Sequence, residues 1–163
     1  MDIDIFYEQL NIYNARIERL NEEITQLEGN LSTCETRKQT LLDYKKKLED
    51  LSSKLDSINA NISSGQSLTQ TSLSMYSLLG KTHILEELYN NFKSASSDLQ
   101  DALNTICIIK AAITKKTEDF NREITELNRA ITNLKEQIAA KKTELSQAII
   151  HRNNVLNTID SLE

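Results

Sequence analysis

The chain has 163 residues, of which 39% are hydrophobic and 5% aromatic, with no Trp, no Pro and only three Gly. This is thin material for a compact globular core, and it holds almost nothing that breaks helices or shapes the turns of a sheet. The net charge of −5 comes from intermixed signs without a basic stripe, which argues for solubility and against a nucleic-acid phosphate footprint.

The opening segment MDIDIFYEQL starts acidic and turns amphipathic. It lacks the basic start and unbroken apolar run of a signal peptide, so export by the general secretory route is not expected. From Phe6 the apolar residues Leu10, Tyr13, Ile17, Leu20, Ile24, Leu27, Leu31 and Cys34 follow at alternating spacings of four and three, which is a heptad seam. The alternation resumes over Leu41, Tyr44, Leu48, Leu51, Leu55, Ile58 and Ile62. Joining the two halves through Lys38 takes two successive steps of three, a stammer that would overwind the supercoil.

Between the apolar arms the composition changes, and from Ser57 to Thr82 the only charged residue is Lys81. Ser, Thr, Asn and Gln dominate, so the chain is expected to turn here, with residues 63–81 largely non-helical. Gly65 is a plausible break, and Leu68, Met75 and Leu79 allow a short extra helix. Gly80 lies almost at the centre of the chain, and a turn there makes two equal arms. A turn at Gly65 would instead leave the second arm overhanging by about 30 Å at the helical rise.

The second arm reads Leu85, Leu88, Phe92, Ala95, Leu99, Ala102, Ile106, Ile109 and Ile113, then Phe120, Ile124, Leu127, Ile131, Leu134, Ile138, Lys141, Leu145, Ala148, Arg152, Val155, Ile159 and Leu162. Two steps of four around Phe120 predict a stutter, roughly mirroring the stammer of the first arm. Asp43 with Lys47, Asp50 with Lys54 and Glu118 with Arg122 are placed for i,i+4 pairing on exposed faces. The fold class that follows is all-α: a single domain over residues 1–163 forming a long antiparallel, coiled-coil-like helical hairpin. Arm one covers about 3–63, a polar turn region about 64–82, and arm two about 83–162.

Cys34 and Cys107 then sit on opposite arms at levels about 20 Å apart, too far for a disulfide, and both read as small buried hydrophobes. Two features exceed what one partner helix can cover. Leu103, Cys107 and Ile108 widen the stripe around Ile106 and Ile109, while Leu78, Leu79, Ile84, Leu85, Leu88, Tyr89 and Phe92 crowd one end. Surplus apolar surface of this kind marks a contact site, unless the segment Gln66 to Leu79 folds back over it.

Nothing converges for catalysis. His83 and His151 lie at opposite ends of the hairpin without metal-ligand spacing, and adjacent acids such as Glu22 with Glu23 or Glu86 with Glu87 point about 100° apart on a helix. Gly80-Lys81-Thr82 has neither the upstream Gly of a phosphate loop, since position 75 is Met, nor a preceding strand. No enzymatic activity, cofactor or metal is expected. The nearest apolar run, Ile106 to Ile113, is interrupted by Lys110 and falls short of the roughly 20 residues of a membrane helix, so no stable membrane insertion is expected.

The turn Ser77-Leu78-Leu79-Gly80-Lys81, followed by Leu85, Leu88, Tyr89, Phe92 and a long Ile/Leu heptad arm, resembles the WXG-type helical hairpins of Gram-positive type VII secretion. It is closer still to the LXG-associated α-helical proteins encoded beside LXG toxins. The family's turn carries Trp-x-Gly with an aromatic residue about ten positions on. Here Leu78 takes the Trp position, Gly80 the Gly position, and Tyr89 or Phe92 the aromatic one. The family's export signal, an aromatic with an acid four residues later, is missing, since Tyr7, Tyr13, Tyr44, Tyr76 and Tyr89 are followed at that spacing by Asn11, Ile17, Leu48, Gly80 and Lys93. The resemblance implies a non-enzymatic partner or targeting factor that binds the helical N-terminal domain of an LXG-type toxin, together with a second small helical protein. It also implies a cytoplasmic chain that leaves the cell, if at all, with its partner by a non-Sec route. On this reading Leu85, Leu88, Tyr89, Phe92, Leu103, Cys107 and Ile108 carry the partner. The heptads alone predict equally well a coiled-coil spacer or a homodimeric scaffold.

Overall fold

The computed structural model describes residues 3–79 and 83–162, with side chains described over 3–76 and 86–162. It consists of two α-helices, α1 (Ile3–Leu79) and α2 (His83–Asp160), packed against each other as an all-α helical hairpin. Asp4 in the first turn of α1 and Glu86 in that of α2 set negative charge at the positive helix ends. Backbone bonds from Ser161 to the Thr158 carbonyl and from Leu162 to the Ile159 carbonyl tighten the end of α2.

The polar midsegment is helix, not turn. Residues 63–79 continue α1 without interruption, and no separate short helix forms there. The reason lies in the hydroxyl groups. Ser64, Ser67, Thr69, Thr71, Ser72 and Ser74 each donate to the carbonyl four residues back, at 2.8–3.1 Å. A side chain satisfied this way stops competing with the helix, and no Pro removes a backbone donor. Gly65 is likewise helical rather than a break: a Cβ added to it would meet Leu99 Cδ1 at 3.8 Å, an ordinary contact. Gly80, the expected turn residue, lies outside the described residues, as do Lys81 and Thr82.

The chain divides into two compact units, one formed by Met1–Leu41 with Glu123–Glu163 and the other by Leu42–Arg122. In the first the helices run antiparallel, as shown by the Arg37–Glu123 (2.8 Å), Glu35–Lys135 (3.0 Å), Glu28–Lys142 (2.8 Å) and Glu23–Lys141 (3.0 Å) ion pairs. In the second the same sense is given by Tyr44 stacked on Phe120, Asp56 paired with Lys110, Gln66 bonded to Gln100 and Tyr76 against Phe92.

Neither phase defect is present. The residues of α1 turned toward α2 alternate by four and three without a break: Phe6, Leu10, Tyr13 and so on to Cys34, then Lys38, Leu41, Lys45, Leu48, Ser52, Leu55, Asn59, Ile62, Gln66, Thr69, Leu73 and Tyr76, all buried or half-buried. On α2 the row runs Phe92, Ser96, Leu99, Leu103, Ile106, Lys110, Ile113, Thr117, Phe120, Ile124 and onward to Ile159, equally unbroken. Polar residues keep the count where the apolar pattern slips by one. Two of the seam lysines manage this by reaching outward along apolar stems, Lys45 to Glu49 and Lys110 to Asp56.

The two units are therefore cored differently. In a heptad whose inward residues are a and d, the first unit buries both kinds: Leu20 and Val155 at d, Ile24, Ile131, Ile138 and Ile159 at a. The core of the second is Leu55, Ile106 and Ile113, flanked by Leu48 and Ile62, and every one of these is a d residue. Its a positions on α1 are Lys45, Ser52, Asn59 and Gln66 up to Leu73, and on α2 Ser96, Leu103, Lys110 and Thr117.

Candidate functional site: an apolar flank of the second unit

If d residues alone form the core of the second unit, the apolar residues missing from its a positions must stand elsewhere. They stand at g, one position before a. Tyr44, Leu51 and Ile58 on α1 are 48%, 44% and 47% exposed, and Leu88 and Ile109 on α2 are 40% and 39% exposed, with Ala95 and Ala102 between them. Successive g residues are seven apart, so each set forms a straight row along its helix.

Both rows lie on the same side of the seam. Tyr44 (g) stacks on Phe120 (d) with ring centroids 6.3 Å apart, and Gly65 (g) sits beside Leu99 (d). The opposite side is polar: there Asp56 bonds Lys110, and Gln66 bonds Gln100 at 2.7 Å. One end of the flank is basic and aromatic, with Lys47 Nζ over the Tyr44 ring at 5.5 Å and Lys116 Nζ over the Phe120 ring at 4.9 Å. Among the described residues neither ammonium group is ion-paired.

The first unit has no such surface. Its g residues are Arg16, Glu23, Arg37 and Asn30 on α1 and Glu123, Ala130, Gln137, Glu144 and His151 on α2, and the Arg37–Glu123 pair joins two of them directly. Exposed pairs of this kind contribute little stability, but they leave no row of large apolar side chains on this side of the first unit.

The residues expected to carry a partner are only partly brought together. Leu88 and Tyr89 are exposed as required, and Leu88 belongs to the flank. Phe92 instead turns inward, its ring 5.7 Å from that of Tyr76. Leu103 is a half-buried a residue facing α1, so it is seam and not surface. Cys107 is exposed, against the expectation of burial, and stands at e on the polar side, while Ile108 is 71% exposed at f, on the back of α2. The consecutive residues Ile106, Cys107 and Ile108 thus point in three directions, because each step along a helix turns about 100°. The side chains of Leu78 and Leu85 lie outside the described residues. Tyr44, Leu51, Ile58 and Ile109, which the apolar count places in the seam, belong to the flank; the signal that reveals them is the polar residue that follows each of the four.

Cys34, half-buried at d, and Cys107 are both free thiols, as their spacing predicts. The His151 ring lies on that of Tyr13, with centroids 5.7 Å apart. Among the described residues no group of three His, Cys, Asp or Glu is placed to hold a metal ion. A shallow hollow lined by Thr125, Asn128, Arg129, Thr132, Asn133 and Glu136 is the outer face of α2 alone, with no second element to close it. No described helix is long and apolar enough to cross a membrane. No family model, curated protein or solved structure matches the chain.

Proposed function

We propose that this chain is a non-enzymatic helix-binding protein, and that it serves as the partner of a secreted toxin's helical N-terminal domain for type VII secretion. The observation that carries the binding role is the flank: two parallel rows of half-exposed apolar side chains, one from each helix, confined to the second unit. A helical partner buries such rows at a gain of about 1.5 to 3 kcal/mol per large side chain relative to full exposure, less here because each is half covered already. The secretion role rests on the resemblance of the Leu78–Gly80 segment and the arm after it to the LXG-associated proteins. In this reading Leu51, Ile58, Leu88 and Ile109 anchor the toxin domain, Tyr89 extends the contact toward the end of the hairpin, and the chain travels, if it is exported, with its cargo.

The test is genetic and biochemical. Deleting the gene should stop release of the toxin encoded beside it, and the two purified proteins should co-elute. Undiminished toxin release in the deletion strain would remove the secretion role. A homodimeric scaffold is the second reading, favoured by the presence of a row on each helix.

A further inference from the structure

We propose that the occupant of the apolar flank is an amphipathic helix with acidic side chains in the turns that cover the Tyr44–Phe120 ring pair and apolar ones beyond them. This rests on the reading of the flank as a docking face, and adds to it the charge pattern and direction of the helix that docks.

One end of the flank holds cations that nothing in the chain neutralises. Lys116 stands in the g row of α2, and Lys47 in the c row that borders the flank on α1, with Lys54 next along that border. The sequence places Lys47 to pair with Asp43, yet its ammonium group lies 5.5 Å from the Tyr44 ring centroid, and that of Lys116 lies 4.9 Å from the Phe120 centroid. The two rings are themselves stacked, so both cations gather at one level. An ammonium group seated on an aromatic face keeps N–H groups turned outward, able to donate to a carboxylate. Neighbouring acids are engaged elsewhere: Glu49 by Lys45, Asp56 by Lys110, and Asp119, which borders the flank on α2, by Arg122. A second copy brings no acid to this place. Laid over the flank about an axis parallel to the helices, it would set Lys47 beside Lys116, because Tyr44 and Phe120 share a level.

The rest of the flank has the opposite character. Beyond Lys54 and Lys116 its rows continue through Ile58 and Gly65 on α1 and Ile109, Ala102, Ala95 and Leu88 on α2, and the border of α1 adds Leu68 and Met75, 71% and 60% exposed. Among the described residues the one charged side chain in or beside this stretch is Asp98, on the border of α2. The flank is therefore polarised: basic at the ring pair, apolar in its body and weakly acidic toward Leu88. A helix with acids at one end fits it in one direction only, since the reverse placement sets those acids over Asp98 and leaves Lys47 and Lys116 uncompensated. From Lys116 to Leu88 the flank runs about 40 Å at the helical rise, the length of about four heptads.

Synthetic amphipathic helices of four heptads test this by fluorescence anisotropy with the full chain. They share their apolar residues and carry Glu, Gln or Lys at the polar positions of one terminal heptad. The Glu helix should bind about tenfold more tightly than the Gln helix and the Lys helix most weakly, with the differences shrinking as salt is raised. Lys47→Glu/Lys116→Glu, which alters two exposed side chains and should leave the helical circular dichroism spectrum unchanged, should reverse that order. Leu51→Asp/Ile109→Asp should weaken all three helices. Equal binding of the Glu and Gln helices, or an order that the lysine variant leaves intact, overturns the charge pattern while the flank stands as a docking face. Binding that the aspartates do not weaken, or no binding by any helix, overturns the docking face and the proposal with it. A chain that binds no helix and sediments as a dimer, dissociated by the aspartates, gives the flank to a second copy and likewise overturns the proposal.

Discussion

The ring of Tyr44 stacks on that of Phe120 with centroids 6.3 Å apart and planes inclined by 27°. Phe120 is a seam residue of α2, whereas Tyr44 is the flank neighbour of the seam residue Lys45 on α1. An aromatic ring at g reaches across to its partner helix while almost half of it stays in contact with solvent. The same one-position shift, repeated at Leu51 and Ser52 and at Ile58 and Asn59, makes these a positions of the second unit polar and one side of it apolar. Its consequences can be measured.

Filling the seam should stabilise the chain, and emptying the flank should not destabilise it. Ser52→Leu and Asn59→Leu place apolar side chains at a positions between the helices and should each raise the unfolding free energy by about 1 kcal/mol. Leu51→Ser and Ile58→Ser, on the half-exposed flank, should cost less than about 1 kcal/mol in the monomer. Urea unfolding at concentrations where the chain is monomeric compares the four. The opposite ordering would mean that Leu51 and Ile58, not Ser52 and Asn59, face α2.

Both described glycines sit inside α1, where glycine costs about 0.5–1 kcal/mol relative to alanine. A Cβ at Gly29 meets nothing within 4 Å, and one at Gly65 makes only an ordinary contact with Leu99. Gly29→Ala and Gly65→Ala should therefore each raise stability by up to about 1 kcal/mol, read from the thermal midpoint. A fall at Gly65 would show that its lack of a side chain is needed for the approach of α2.

Lys141, a seam residue, bonds Glu23 at 3.0 Å across the seam and Glu144 at 3.5 Å on its own helix. The hydrogen bond to Glu23, above all, raises its pKa over the ordinary 10.5, against the opposing effect of desolvation. A cation favoured by folding contributes stability that is fully present below its unfolded pKa and is lost as pH rises through the folded one. The window therefore lies above pH 10.5. Titration followed at the Lys141 ammonium by NMR should show a midpoint above the ordinary 10.5, and Glu23→Gln should bring it down. A wild-type midpoint that Glu23→Gln leaves unchanged would contradict the assignment.

The fold was legible because nothing in the sequence competes with helix: no Pro, three Gly, and heptads over most of the chain. Three details were hidden for physical reasons. Ser and Thr from 63 to 79 look like loop residues until their hydroxyls are assigned to carbonyls one turn back, which no composition reveals. The seam of the second unit was displaced by one position, because following the apolar residues through Tyr44, Leu51 and Ile58 finds the stripe that is apolar, not the stripe that faces α2. Once α2 supplies the direction, the polar residues Lys45, Ser52 and Asn59 fall into an unbroken count, and the stammer and stutter vanish with it. Leu103 and Ile108 are close in sequence and look like one surface, but on a helix five residues turn through about 500°, which leaves them on different faces.

The central claim is that the flank of the second unit docks helical protein. Calorimetric titration of the chain with the helical N-terminal domain of an LXG-type toxin tests it most directly, comparing wild type with Leu51→Asp/Ile109→Asp. The account predicts saturable binding by the wild type with a negative heat-capacity change from buried apolar surface, and loss of at least tenfold in affinity in the double variant, whose helicity is retained. Equal binding by both chains would show that the flank is not the docking face, and no binding by the wild type would contradict the proposed partner.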